Sequence, residues 1–189
     1  MIDIFATRIY TNKLKQDEKS IIKYILKLKK NNKGNQFSNT GWQSENLNTK
    51  NKIILPLINS IERSAFEYAN SINIKNKLRV GNIWANINNY KDYNRSHIHG
   101  GIFSGVYYLQ VPKNSGNIVF ENPADKLISS FWMLQSPCIL VNNIFTSTSW
   151  SFKGEPGLIL IFPSYLSHFV ECNLNKTKNR ISMSFNLIL

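Results

Sequence analysis

The chain has 189 residues, 42% of them apolar or aromatic, enough for one domain with a substantial core and too few for two. Lys and Arg outnumber Asp and Glu by 23 to 11, which gives a formal charge of +12 and a pI near 9.7. No apolar run reaches the roughly 18–20 residues that span a bilayer, and the opening Met1–Phe5 lacks a charged stretch followed by a long apolar one. These features predict a cytosolic protein without a membrane partner. Cys138 and Cys172 are the only cysteines; their spacing argues against a disulfide framework or a structural zinc site and predicts two small buried apolar residues.

The basic excess is uneven, with +6 of it in residues 1–50 and none in residues 101–150. Nucleic acid is therefore one candidate partner. The bland alternative is codon bias, because the abundant Asn, Lys and Ile all have A/T-rich codons.

In chain order, Asp17 to Lys30 reads as an amphipathic helix: Ile21, Ile25 and Leu28 recur at helical spacing, and Lys19, Lys23, Lys27, Lys29 and Lys30 fill an outer face. Asn31-Asn32-Lys33-Gly34 stops it, and the polar stretch to Lys50 reads as a long loop. A second helix is predicted from about Lys52 to Asn73, with Pro56 in its first turn. From Leu78 the period changes to that of strands: Leu78–Ile87, Ser96–Ile98, Ser104–Val111, Asn117–Glu121, Cys138–Val141, Gly157–Phe162, His168–Cys172 and Arg180–Leu189. Pro112-Lys113-Asn114-Ser115-Gly116 marks a turn. Eight short strands without intervening helices predict a mainly β sandwich or barrel with N-terminal helices. The whole chain, 1–189, is expected to form one domain, with a helical flank over 1–75 and a β core over 78–189.

The three histidines carry the chemistry. His97 and His99, one residue apart in an extended segment, are expected on one face of a strand. His168 follows a buried-looking strand and the turn Pro163-Ser164-Tyr165. A His-x-His pair plus a distant imidazole can close three adjacent corners of a metal and leave positions open. Arg180, the one arginine of the C-terminal half, opens an apolar final strand. A guanidinium among buried neighbours needs an anion, and its fork fits a carboxylate; the alternative is an ion pair with Glu171 or Glu121. Ser182 shares its face. Asn86, on a strand among apolar residues, and Asn94 are candidate pocket residues. Trp84 reads as pocket or core, and Phe131, Trp132 and Trp150 as cleft lining or packing.

His97-x-His99, Ser104-Gly105-Val106-Tyr107-Tyr108-Leu109, Gly116 through Pro123, the Phe162-Pro163-Ser164 turn before His168, and Arg180-x-Ser182 together resemble the Fe(II)/2-oxoglutarate-dependent oxygenases. Over roughly residues 80–189 the chain is similar to small members of that superfamily from marine bacteria and phages, related to the prolyl-hydroxylase branch. The resemblance implies a double-stranded β-helix, or jelly-roll, with flanking helices. It also implies Fe(II) and 2-oxoglutarate as cofactors, and hydroxylation of a small-molecule or peptidyl substrate with release of succinate and CO2. By it, His97 and His168 hold the metal, Arg180 and Ser182 bind the distal carboxylate of 2-oxoglutarate, and Tyr108 helps hold that carboxylate.

One position departs from the pattern, because the superfamily's usual second ligand is a carboxylate and here it is His99. Either His99 ligates, giving a three-imidazole face with one negative charge fewer and a lean toward Zn or Cu, or it stands aside and leaves a corner for water or an anion. Asp92 and Glu121 lack the expected spacing and read as surface charge. Cupins share the barrel and the His-x-His, but their first motif continues with a Glu where this chain has Gly100-Gly101, a turn or bulge, and they need no counterpart of Arg180. A cupin-like metalloenzyme without 2-oxoglutarate and a non-catalytic basic barrel that binds nucleic acid or acidic partners are the two alternatives.

Overall fold

The structure, a computed structural model, describes residues 5–31, 34, 39–124 and 143–189. Asp17 opens helix α1 (Glu18–Asn31) by accepting the Ser20 backbone N–H at 3.1 Å, and Lys29 and Lys30 lie in its last turn, where the helix dipole favours them. Its lysines face out and Ile21 and Ile25 face in. Helix α2 (Leu55–Ser71) starts with Pro56 in its first turn and buries Leu57, Ile58, Ile61, Ala65, Tyr68 and Ala69. Each fully buried Ile or Leu contributes about 1.5–3 kcal/mol relative to an exposed one.

Among the described residues, one strand precedes the helices, one lies between them and eight follow: β1 (Tyr10–Lys13), β2 (Trp42–Gln43), β3 (Arg79–Asn88), β4 (Asn94–His97), β5 (Phe103–Gln110), β6 (Ile118–Glu121), β7 (Ser149–Phe152), β8 (Leu158–Pro163), β9 (His168–Val170) and β10 (Arg180–Ile188). They form two sheets with antiparallel pairing, a major one in the order β1-β8-β5-β10-β3-β2 and a minor one in the order β4-β9-β6-β7. This is the predicted jelly-roll. None of the described helices is long and apolar enough to cross a membrane.

The major sheet is covered on both faces, so its strands lack the simple apolar–polar alternation of a sheet with one wet side. Ile83, Ala85 and Ile87 of β3, Tyr107 of β5, and Ile181, Met183, Phe185 and Leu187 of β10 pack with the helices. The intervening residues Val106, Tyr108, Leu160 and Phe162 pack toward the minor sheet with Ile118 and Phe120. Gly105 is required where β5 crosses this core: a Cβ there would lie 2.3 Å from the Phe185 ring and 2.5 Å from the Leu160 carbonyl. Gly105→Ala is expected to lower stability by about 1–3 kcal/mol through overpacking, read as a lower urea midpoint at unchanged slope.

Several expectations need correction. The segment 31–50 is not all loop, because Trp42 and Gln43 pair with Ile87 and Asn86 as an edge strand. Strands β1 and β7 also escaped prediction, since Tyr10–Lys13 and Ser149–Phe152 are edge strands of four residues with mostly exposed side chains, too short to establish a period. Cys172 is exposed rather than buried, because β9 ends at Val170 and leaves it in the following loop. The predicted strand Cys138–Val141, with Cys138 itself, and Phe131-Trp132 lie outside the described residues.

Candidate metal and 2-oxoglutarate site

Strands β4 and β9 pair with His97 directly opposite His168, and cross-strand partners hold their Cβ atoms about 4.5–5.5 Å apart. The register shifts between Asn94 and His97, and such a bulge re-aims the side chains beside it. His99 is not on the strand with His97, contrary to expectation. β4 ends at His97, and the His99 backbone N–H instead donates to the Ser164 carbonyl at 3.0 Å. The turn beyond it uses Gly101 at a φ of +106°, a conformation that L side chains rarely adopt.

The three rings nevertheless converge. Ring centroids are 4.8 Å apart for His97–His99, 4.5 Å for His97–His168 and 5.1 Å for His99–His168. One nitrogen from each lies within 4.8 Å of the others. His97 Nδ1–H donates to the Arg95 carbonyl at 2.6 Å and His168 Nδ1–H to the Leu166 carbonyl at 2.9 Å. A carbonyl can only accept, so both Nδ1 atoms carry the proton and both Nε2 lone pairs remain free, the arrangement that prepares a histidine for a metal. Among the described residues no carboxylate joins this group. Asp92 is tied to the Asn89 backbone N–H at 2.7 Å, and Glu121 accepts from the Ser96 and Ser167 hydroxyls.

Burial holds all three imidazoles neutral. It lowers His168 to about 3 and His99 to about 4, with His97 adding repulsion to each, and it lowers His97 as well. The donor set is thus three neutral nitrogens at physiological pH, which fits a divalent transition metal. The same shifts predict acid sensitivity in the metal-free protein. An unfolded chain takes up protons on these histidines below its ordinary pKa of about 6.5, whereas the folded chain resists until about 4 or lower. Stability is therefore full above pH 6.5 and falls as pH drops toward 4. Thermal melts from pH 7.5 to 4 are expected to show this fall.

Arg180 lies in the same cavity, a space of about 320 Å³ that also takes in Tyr108, Ser182, Asn86, Asn94 and Trp84. It is 2% exposed. Its Nη1 donates to the Ser115 carbonyl at 2.6 Å and the Glu171 carbonyl at 3.3 Å, while its buried Nη2 has no partner. The alternative ion pair is absent: the Glu171 carboxylate accepts from the Asn117 backbone N–H at 2.9 Å, and that of Glu121 is held by the two serines. A buried guanidinium without a neutralising anion is costly, and an unmet donor beside a metal-fit cluster suits a carboxylate ligand. Burial pushes the Tyr108 phenol up to about 12, offset in part by the Arg180 charge, so it stays a donor. Gly154 packs on its ring, since a Cβ there would come within 2.9 Å.

The structure thus gathers all nine residues predicted for the site: His97, His99, His168, Arg180, Ser182, Tyr108, Asn86, Asn94 and Trp84. Trp84 serves both readings, 8% exposed and 5.7 Å from the His99 ring. The prediction missed Gln43, Asn82, Ser184 and Asn186, which line the same cavity. The alternation of β3 and β10 carried the signal, because Asn82, Asn86 and Asn88 share one face of β3, as do Ser182, Ser184 and Asn186 on β10. Trp150 lines a separate cavity with Phe145 and Phe152.

No curated protein sequence matches the chain. Its fold is similar to that of a prolyl-4-hydroxylase from Pseudomonas putida (11% identity over 94% of this chain and 91% of that one, TM-score 0.61). It is also similar to a viral collagen prolyl hydroxylase from Paramecium Bursaria Chlorella virus-1 solved with 2-oxoglutarate (12%, 95% and 94%, 0.59). A third similar structure is a Trichoplax adhaerens prolyl hydroxylase in complex with a hypoxia inducible factor peptide (11%, 98% and 84%, 0.65). Residues 82–186, more than half of the chain and the span from β3 to β10, match the family described as "Putative 2OG-Fe(II) oxygenase". With the jelly-roll, the convergent histidines and that match together, the chain belongs to the 2-oxoglutarate- and Fe(II)-dependent oxygenases.

Proposed function

We propose that the protein is a hydroxylase that inserts one oxygen atom of O2 into a C–H bond of a small-molecule or peptidyl substrate. The second oxygen atom enters succinate as 2-oxoglutarate loses CO2. The observation that carries this reading is the unneutralised Arg180 guanidinium, buried in one cavity with three metal-ready imidazoles. His97, His99 and His168 hold Fe(II). Arg180, with the Ser182 and Tyr108 hydroxyls, holds the distal carboxylate of 2-oxoglutarate. The iron, once it holds the cosubstrate, supplies the oxidising power that no side chain has. The chain supplies position: paired strands β4 and β9 set two imidazoles, β10 sets the anion site, and Asn86, Asn94 and Trp84 bound the space for the substrate. Phe120 and Phe162, with ring centroids 5.8 and 4.8 Å from that of His168, help exclude water behind the metal.

The test is anaerobic addition of Fe(II) and 2-oxoglutarate, followed by O2. A metal-to-ligand charge-transfer band and slow, uncoupled succinate formation are expected. Absence of the band would reject the reading.

A further inference from the structure

The face that β3 and β10 turn toward the cavity is polar where a jelly-roll interior is normally apolar. The register pairs Arg180 with Asn88, Ser182 with Asn86, Ser184 with Trp84 and Asn186 with Asn82. Arg180 and Ser182 occupy the end assigned above to 2-oxoglutarate. The other end is a patch of carboxamides and one hydroxyl around a single indole: Asn82, Asn186 and Ser184, with Gln43 and Asn46 at the rim and Trp84 among them. Along a strand these positions repeat at about 6.6–6.8 Å, and across the pair at about 4.8 Å.

Much of this hydrogen-bonding capacity is unspent. Asn82 donates to Asn46 at 3.4 Å and Asn186 accepts from Ser104 at 2.8 Å. That leaves the Asn82 oxygen, the Asn46 and Asn186 amide nitrogens and the Gln43 carboxamide without partners among the described residues. Each carboxamide offers both donors and an acceptor. Among the described residues lining the cavity, no Asp, Glu or Lys is present, and Arg180 is the one charged side chain. Nothing at this end would neutralise a phosphate, a carboxylate or an ammonium group, and a hydrocarbon would leave the carboxamides unpaired.

We propose that this end binds a neutral polyhydroxylated ring, of the size of one sugar or cyclitol unit, with its C–H groups against the small exposed part of Trp84 and its hydroxyls on Asn82, Asn186, Ser184 and Gln43. This rests on the hydroxylase reading, since it names the substrate class of the same cavity. A ring bearing hydroxyls around its rim meets scattered groups that both donate and accept, whereas a lone amide meets one pair. Trp84, buried except for a small part of its surface, offers the C–H groups of such a ring an apolar contact. The 320 Å³ cavity lies near the lower end of the roughly 300–1,000 Å³ usual for ligand pockets, and it must also hold 2-oxoglutarate, so one ring fits and a bulky group does not. The Trp84 ring lies 5.7 Å from that of His99, so a ligand that touches Trp84 lies beside the histidine cluster.

Saturation-transfer NMR on the full chain tests this with five probes: methyl β-D-glucopyranoside and myo-inositol as neutral polyols, D-glucuronate and D-glucose 6-phosphate as charged ones, and N-acetylalanine amide as a peptide group. The polyols are expected to show transfer that falls at least fivefold in both Asn82→Leu and Asn186→Leu. The charged sugars and the amide are expected to show less than the polyols. No transfer from either polyol, equal transfer from the charged sugars or the amide, or transfer unchanged in both variants would overturn the proposal. Circular dichroism confirms that the variants fold, and Trp84→Phe, a smaller change, repeats the test at the indole contact. Calorimetric binding of 2-oxoglutarate on the same samples, expected within twofold of the unsubstituted protein, separates the two readings: its loss in the unsubstituted protein would reject the cosubstrate assignment and leave polyol binding standing.

Discussion

Arg180→Gln is expected to weaken 2-oxoglutarate binding by about 30- to 1,000-fold, the effect of removing one partner from a buried, hydrogen-bonded charge pair at about 2–4 kcal/mol. The magnitude follows from burial: at 2% exposure the guanidinium has exchanged its water for the Ser115, Gly116 and Glu171 carbonyls and an Nη2 without a partner. Bound carboxylate completes the set, so the loss falls on cosubstrate affinity. Glutamine retains a donor but neither the charge nor the fork. Arg180→Lys is expected to fall between, because an ammonium keeps the charge and cannot make two parallel bonds. Anaerobic titration of the charge-transfer band measures both. Arg180 also ties β10 to the Ser115 and Glu171 carbonyls, so a loss of about 1–3 kcal/mol in urea unfolding should accompany the substitution. Unchanged 2-oxoglutarate affinity in a folded Arg180→Gln protein would reduce the residue to a structural strut.

His97→Ala and His168→Ala are each expected to reduce metal affinity by more than 100-fold, beyond the roughly 10- to 100-fold cost of losing an outer-shell partner. His99→Ala is the informative third member. If the three-nitrogen cluster acts as one site, this variant falls with the other two, and competition among Fe(II), Zn(II) and Cu(II) in the unsubstituted protein follows the usual affinity order toward copper. Retention of metal within tenfold in His99→Ala would instead assign the site to two imidazoles. Metal binding at fixed pH 7.5 is the suitable readout, because burial keeps the histidines neutral there.

Much of this site was legible because strands alternate. Arg180 and Ser182, one residue apart on β10, share a face for that reason, whereas His99 lies past the end of β4 and joins His97 and His168 from the segment that its N–H ties to the Ser164 carbonyl. The helices were legible from Ile21 and Ile25 on one side and Ile58, Ile61 and Ala65 on the other. What stayed hidden is non-local. No local pattern reports that the Ser115 carbonyl would meet Arg180 across 65 positions, or that a bulge would turn His97 toward His168. Edge strands β1, β2 and β7 were missed because segments of two to four residues are too short to show a period, and Cys172 because a two-residue error in the end of β9 separates core from loop.

The placement of β10 in the major sheet has a kinetic consequence. β3 and β5 do not pair with each other; β10, contributed by residues 180–188, lies between them and pairs with both along nearly its whole length. The centre of the sheet is thus assembled from segments about 80 and 100 positions apart in the chain, and such long loop closures slow folding into the millisecond-to-second range. Until β10 inserts, β3 and β5 each present an unpaired edge and Arg180, the proposed anion-binding residue, is not in place. A chain whose β10 has not yet docked can therefore pair His97 with His168 while Arg180 and Ser182, the residues proposed for the cosubstrate, are still out of place.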